Sequence, residues 1–234
     1  MESKLSVWFE NYLFGDNIEY STPRVITVIG SGGKTTLIWH LASSLGLGRK
    51  ILVAPTTKMF LPPNSITGVT LAGIFNEASG KLEALPDGEL NELITCYDLA
   101  LLEGDGSKGL PLKAWSEDEP VVHPATTTTI GLLPLWPLGK PVCESLVHRL
   151  PLFLSLTGAA EGEALKSDHL LRLITNETAG LFAKARGEKL LFFNQAEDAT
   201  ALKQACELVE NLPDEFRRGL SAVIAGSVRE DRIE

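Results

Sequence analysis

Lys34, Thr35 and Thr36 close a glycine turn, Gly30-Ser31-Gly32-Gly33, that follows a β-branched apolar run at 25–29 and precedes a helical pattern. That order suits a phosphate. Glycines let backbone N–H groups curl around an anion with no Cβ in the way. The helix behind them turns its N-terminus toward the same anion. Phosphate binding is therefore expected of Gly30, Ser31, Gly32, Gly33, Lys34, Thr35 and Thr36, with Lys34 against the β/γ-phosphates and the Thr35 hydroxyl on Mg²⁺. The commoner loop, G-x-x-x-x-G-K-[ST], wants a glycine where Val28 stands. Here Gly30 opens a shortened G-x-x-G-K-T-T.

Glu103 and Asp105 end a second apolar run, at 99–102, within Glu103-Gly104-Asp105-Gly106-Ser107-Lys108. A carboxylate at such a strand end holds Mg²⁺, directly or through water, in phosphate-loop enzymes, and another orients or deprotonates a nucleophile. Metal binding is expected of Thr35, Glu103 and Asp105, and catalysis of Lys34, Glu103 and Asp105. The spacing does not divide the two carboxylate roles. Thr56, Thr57 and Lys58 follow a third run; they suit either the metal and γ-phosphate or a capped turn. Lys108 and Lys113 would neutralise a phosphate or a second anion, or be solvated as lysines mostly are.

Asn194-Gln195-Ala196-Glu197 follows a fourth run and is similar to the Asn-Lys-x-Asp base-reading motif of GTP-binding proteins, which makes Asn194 a nucleotide-binding candidate. Gln195 stands where that motif has lysine, and Glu197 or Asp198 where it has aspartate, so the base is left open as ATP or GTP. Arg149 could stabilise phosphoryl charge, but a surface arginine on a helix is the stronger reading. His123 and His148 carry no assigned role. Trp39, Trp115 and Trp136 read as packing residues.

The elements that must position these groups follow from hydrophobic periodicity. Residues 4–14 form a short amphipathic helix, punctuated by Ser21-Thr22-Pro23. Strands are expected at 25–29, 50–55, 99–102, 126–133, 189–193 and 220–225. Helices are expected at 34–45, 88–96, 143–154, 167–174 and 199–211. Residues 60–85 and 134–165 are irregular, with short strands at 68–71 and 81–84, and 229–232 reads as a solvated tail. Most strands are continuous apolar runs, which calls for a parallel sheet covered on both faces. The fold class is α/β: a mostly parallel sheet flanked by helices, a P-loop NTPase-like three-layer sandwich, with 1–234 as one domain. In such sheets ligands bind beyond the carboxyl ends of the strands, and there the polar segments fall.

Composition narrows the chemistry. A formal charge of −9, from 21 basic and 30 acidic residues, argues against nonspecific nucleic-acid binding and leaves nucleotide binding open, because backbone dipoles hold phosphates in acidic proteins. Cys96, Cys143 and Cys206 are far apart and suggest neither zinc nor disulfides. No run is long enough for a membrane span and no signal pattern opens the chain, so a cytoplasmic protein is expected.

The loop at 30–36 resembles the G-T-N-G-K-T-T loop of the Mur-ligase superfamily. A fuller resemblance, over most of the chain, is to the selenium-dependent hydroxylase accessory proteins. It rests on 28–36, Pro-Thr-Thr-Lys-Met at 55–59, L-E-G-D-G-S-K-G-L-P-L-K at 102–113, Val147-His148-Arg149 and L-F-F-N-Q-A at 191–196. The resemblance implies a nucleotide-binding protein that serves in maturation of molybdenum hydroxylases carrying labile selenium, with such a hydroxylase or its maturation factors as partner. Three readings stay open: an Mg²⁺-dependent NTPase, an ATP-dependent small-molecule kinase or ligase, and a nucleotide-responsive adaptor without catalysis.

Overall fold

Apolar runs without alternation become strands buried on both faces. The computed structural model describes residues 3–15, 23–62 and 65–233; Ser21, Thr22 and Pro63, read above as punctuation or irregular chain, lie outside them. In chain order the elements are β1 (Ser3–Lys4), α1 (Leu5–Phe14), β2 (Arg24–Gly30), α2 (Lys34–Leu45), β3 (Ile51–Pro55), β4 (Lys58–Phe60), β5 (Val69–Leu71), β6 (Ile74–Asn76), β7 (Lys81–Glu83) and α3 (Asp87–Ile94). They continue with β8 (Leu99–Glu103), β9 (Leu112–Lys113), β10 (Thr128–Pro134), β11 (Val147–His148), α4 (Leu150–Thr157), α5 (Ser167–Thr175), β12 (Glu188–Asn194), α6 (Ala199–Glu210), α7 (Asp214–Arg218), β13 (Ala222–Ser227) and β14 (Arg232–Ile233).

One large sheet runs β1-β14-β13-β12-β10-β2-β8-β3-β5. From β13 to β5 every pairing is parallel, and β14 is antiparallel to both its neighbours. Side chains alternate across it. Ile26 and Val28 of β2 and Leu190 and Phe192 of β12 pack against α1 and α2 through Phe9, Leu13, Leu37 and Leu41. Ile29, Leu191 and Phe193 face the other side, against α4, α5 and α6, while Leu52, Ala100 and Leu102 meet α3 on that side. Each fully buried aliphatic or aromatic side chain contributes about 1.5–3 kcal/mol before the entropy of ordering is counted. The expected α/β class, with a mostly parallel sheet between layers of helices, is what the chain adopts.

Two expectations need correction and a third needs extending. Residues 143–149 are not helical: Pro151 is tolerated only in a first helical turn, so α4 starts at Leu150, and Val147 and His148 instead pair with Leu112 and Lys113. The short strands expected at 68–71 and 81–84 are present as β5 and β7, but the region 60–85 is more ordered than that: β4, β7 and β6 form a separate antiparallel sheet and β5 extends the large one. The segment after Ser227 is not a solvated tail. Asp231 accepts hydrogen bonds from Ser6 N (2.8 Å) and Ser6 Oγ (2.9 Å) in the first turn of α1, where helix amides lack internal partners. His40 Nε2 stands 3.0 Å from the same carboxylate, and β14 follows at once. The short helix α7 was not anticipated at all. No helix among the described residues is long and apolar enough to cross a membrane.

Candidate functional site

The glycine loop leaves β2 in a conformation few side chains tolerate. Gly30, Gly32 and Gly33 have φ of 98°, 78° and 119°. A Cβ at Gly30 would sit 2.2 Å from Leu132 O, and one at Gly33 would sit 2.6 Å from Asn194 Nδ2. Only glycine brings the backbone that close to its neighbours. Gly33 caps α2 without any side-chain hydrogen bond, and no acidic residue stands in the first turn, so no side chain at the cap competes for the first amides of the helix. Ser31 is fully buried; its hydroxyl donates to Pro111 O at 2.7 Å and its amide to Leu132 O at 2.9 Å. Thr36 is exposed.

The two carboxylates diverge. Glu103 is the last residue of β8, beside Val28 of β2 and Pro55 of β3. Its Oε2 accepts from Thr35 Oγ1 at 2.8 Å, and it lines an open cleft of about 280 Å³ above the loop. Burial pushes its carboxyl above the usual range, against the opposing pull of Lys34 and the Thr35 hydroxyl. Asp105 lies behind the loop, fully buried and outside that lining. Its Oδ2 accepts from Gly30 N (3.1 Å) and Trp115 Nε1 (2.5 Å) and lies 3.1 Å from Lys113 Nζ, while its Oδ1 lies 3.2 Å from Lys34 Nζ. Lys34 also donates to Gly30 O at 2.7 Å.

A buried chain of charges continues from there. Lys113, fully buried, donates to Gly106 O (2.7 Å) and Glu119 Oε2 (2.9 Å), and Arg149 donates to the same Glu119 oxygen. Burial by itself would raise the Glu119 carboxyl, but the hydrogen bonds and charges of Arg149 and Lys113 outweigh it and hold it at about 2. Lys113 is thus neither solvated nor phosphate-facing, and Arg149 is no surface helix residue: it sits at the N-cap of α4 with φ 61° and anchors an ion pair.

Asn194 is also buried. Its Nδ2 donates to Gly32 O (2.8 Å) and its Oδ1 accepts from Val228 N (3.0 Å), so the amide ties the loop to the chain that follows β13. The neighbouring Gln195, in a left-handed conformation, lines the cleft instead. Thr56 ties β3 to its surroundings through Val121 O (2.6 Å) and Glu103 O (3.2 Å), whereas Lys58 reaches the cleft and pairs with Glu83 at 2.7 Å. His123 is buried, its Nδ1 accepting from Ala125 N at 3.2 Å. His148 is partly buried, and burial followed by the Arg149 charge holds its imidazole below the usual value.

The cleft has two walls. Trp136 and Gln195 follow β10 and β12 on one side of β2; Lys58, Phe60 and Lys81 stand on the small sheet that follows β3 on the other. The segment Ser107–Pro111 also lines the cleft. Trp136, read from sequence as packing, is half-exposed here. Lys81 and Phe60 carried no sequence signal of a site, because their place depends on the pairing of β4 with β7. Trp115 does pack, but its indole N–H also serves Asp105; its nearness to Lys113 in L-P-L-K-A-W was the available hint. Among the described residues no cluster of three or more His, Cys, Asp or Glu could cage a metal. Magnesium does not require one: it takes one or two carboxylates and completes its shell with water and phosphate, a set that Thr35 and Glu103 fit.

A family model described as YqeC protein matches residues 26–151. That stretch holds the glycine loop, Glu103, Asp105, Lys113, Glu119 and Arg149, and leaves Asn194 outside. A protein of Escherichia coli (strain K12) that carries the description "Uncharacterized protein YqeC" is 28% identical over an alignment that covers 89% of this chain and 89% of that protein.

Proposed function

The chain belongs to the YqeC protein family, and we propose that it is an Mg²⁺-dependent nucleotide-binding protein with a P-loop NTPase-like core, hydrolysing ATP or GTP as a cytoplasmic accessory factor. One observation carries the reading. Two consecutive residues at the start of a helix, Lys34 and Thr35, meet two acids at and just beyond the end of the adjacent parallel strand, the Thr35 hydroxyl lying 2.8 Å from Glu103. Phosphoryl transfer needs such parts: amides and a cation around the phosphates, and a hydroxyl with a carboxylate for the metal. Magnesium, when bound, would neutralise charge on the β- and γ-oxygens. Lys34 would exchange its bond to Gly30 O for a phosphate oxygen, with Asp105 steadying it from behind. Glu103, the one carboxylate on the described cleft lining, would hold the metal's water shell and orient the attacking water.

The resemblance in 55–59, 102–113 and 191–196 supports a wider role in maturing a selenium-dependent molybdenum hydroxylase, with that enzyme or its maturation factors as partner. A kinase or ligase reading draws on the cationic wall formed by Lys58 and Lys81.

Calorimetry of Lys34→Ala with Mg-ATP and Mg-GTP tests the site. The expected loss of affinity is about 100-fold, the size of one charge-assisted contact; unchanged binding of both nucleotides would overturn the assignment. Thr35→Ala should keep the EDTA-resistant part of nucleotide binding and lose the enhancement by Mg²⁺. The wider role predicts that cells carrying Lys34→Ala lose the hydroxylase activity, and full activity would count against it.

A further inference from the structure

We propose that the cationic wall of the cleft is a second anion subsite, separate from the nucleotide's phosphates, for a ligand bearing a phosphate or carboxylate group. This subsite rests on the nucleotide reading above. The described lining carries four lysines, Lys34, Lys58, Lys81 and Lys108, against a single carboxylate, Glu103, in a chain of net charge −9. Such a concentration of cations is not a sample of the surface at large. Nor are the four equivalent. Lys34 is balanced by Asp105 and Lys58 by Glu83. Among the described residues no carboxylate lies within 4 Å of Lys81 or Lys108.

The sheet order separates this wall from the one a base would use. Trp136 and Gln195 follow strands on one side of β2; they are uncharged and offer a ring and an amide, which suit an aromatic base with a hydrogen-bonding edge. The lysine wall lies beyond β8 and β3 on the opposite side. A nucleotide seated on the loop with its base at Trp136 leaves that wall for something else. The wall also has a built geometry. Phe60 and Lys81 face each other in register across β4 and β7, and Lys81 Nζ rides 4.3 Å above the Phe60 ring, which holds the ammonium near the cleft. Phe60 is 54% exposed, an apolar surface awaiting cover. Lys108 reaches the cleft from a backbone with φ 52°, a conformation that is strained for a non-glycine residue and concentrates at ligand sites.

The chain is first saturated with the non-hydrolysable nucleotide Mg-AMPPNP. Inorganic phosphate and benzoate are then titrated separately, followed by ³¹P line width and proton saturation transfer respectively. One equivalent of at least one probe should bind, and the pair of responses tells which oxyanion is preferred. In the double variant Lys81→Ala/Lys108→Ala that binding should weaken at least about tenfold more than AMPPNP binding does. Binding of neither probe to the saturated chain would overturn the subsite. So would equal weakening of probe and nucleotide, which would hand the lysines to the nucleotide's own phosphates. Failure of AMPPNP itself to bind is a different result, and it would overturn the nucleotide reading on which the second site stands.

Discussion

The floor and the far wall of the same cleft are held by opposite means. Under the floor, Lys34, Asp105, Lys113, Glu119 and Arg149 form a chain of charges that is largely buried, each pairing reinforced by a hydrogen bond to backbone or indole. The wall of β4, β6 and β7 is short, exposed and antiparallel, with Ile74, Phe75 and Phe60 each about half in solvent. Burial makes each floor charge depend on its partner, since an ion stripped of water is tolerated only when paired. The wall's charges keep their water, and their pairs contribute little to stability. A floor held by buried pairs would suit the phosphate positioning proposed above, and an uncommitted wall would suit the proposed exchangeable ligand.

Several substitutions would break or sharpen this contrast. The largest stability effect belongs to Asp105→Asn, which leaves Lys34 and Lys113 facing a neutral group inside the protein. A loss of about 3–5 kcal/mol is expected in urea unfolding at neutral pH; a fully stable variant would show that the network is incidental. Asn194→Ala comes next, because Val228 N and Gly32 O lose their partner, and about 1–3 kcal/mol is expected to go. The ratio of ATP to GTP affinity should not move, since both ends of the amide are spent on the backbone; a changed ratio would restore Asn194 as a base reader.

Acid provides a graded probe of the floor. Glu119 titrates at about 2 in the folded chain against an ordinary 4.5. Its folded value is depressed, so its contribution is complete above the unfolded value and fades as pH falls through 4.5 toward 2. Glu119→Gln should flatten that part of the stability profile, and an unaltered profile would remove Glu119 from the network. The smallest effect is expected from Lys81→Ala, within about 0.5 kcal/mol of the parent. A cost comparable to that of Asp105→Asn would erase the distinction between floor and wall.

Much of the core was legible because its signals are local. Residues 34–45 read as one helix from periodicity and the glycines that flank it, and the structure has α2 over that span. Runs at 25–29, 50–55, 99–102 and 189–193 are apolar throughout, which marks a doubly covered parallel strand whatever its neighbours. The tail was misread because Asp231 and Ile233 are ordinary residues locally; their partners, Ser6 and Ser3, lie at the opposite end of the chain. Residues 143–149 were misread because an apolar pattern there suits a helix, while the parallel pairing of Val147 with Leu112 cannot be seen in either segment alone.

The site divides in the same way. Glycines 30, 32 and 33, Lys34, Thr35 and the acids at and just beyond the end of β8 announce themselves by type and spacing, since a loop of this kind is built from residues adjacent in the chain. What each acid faces did not. Glu103 and Asp105 are two residues apart, which in a continuing strand would set them on one side. The strand instead ends at Glu103, and Gly104 packs so closely that a Cβ would meet Ile29 Cγ2 at 2.7 Å. The chain thereby carries Asp105 beneath the loop and leaves Glu103 beside Thr35. The sequence by itself determined where the glycine loop and its acids stand, because those features are short-range. Only the tertiary structure decided which charges are buried together and which line the cleft, because burial and pairing belong to segments that meet across the sheet.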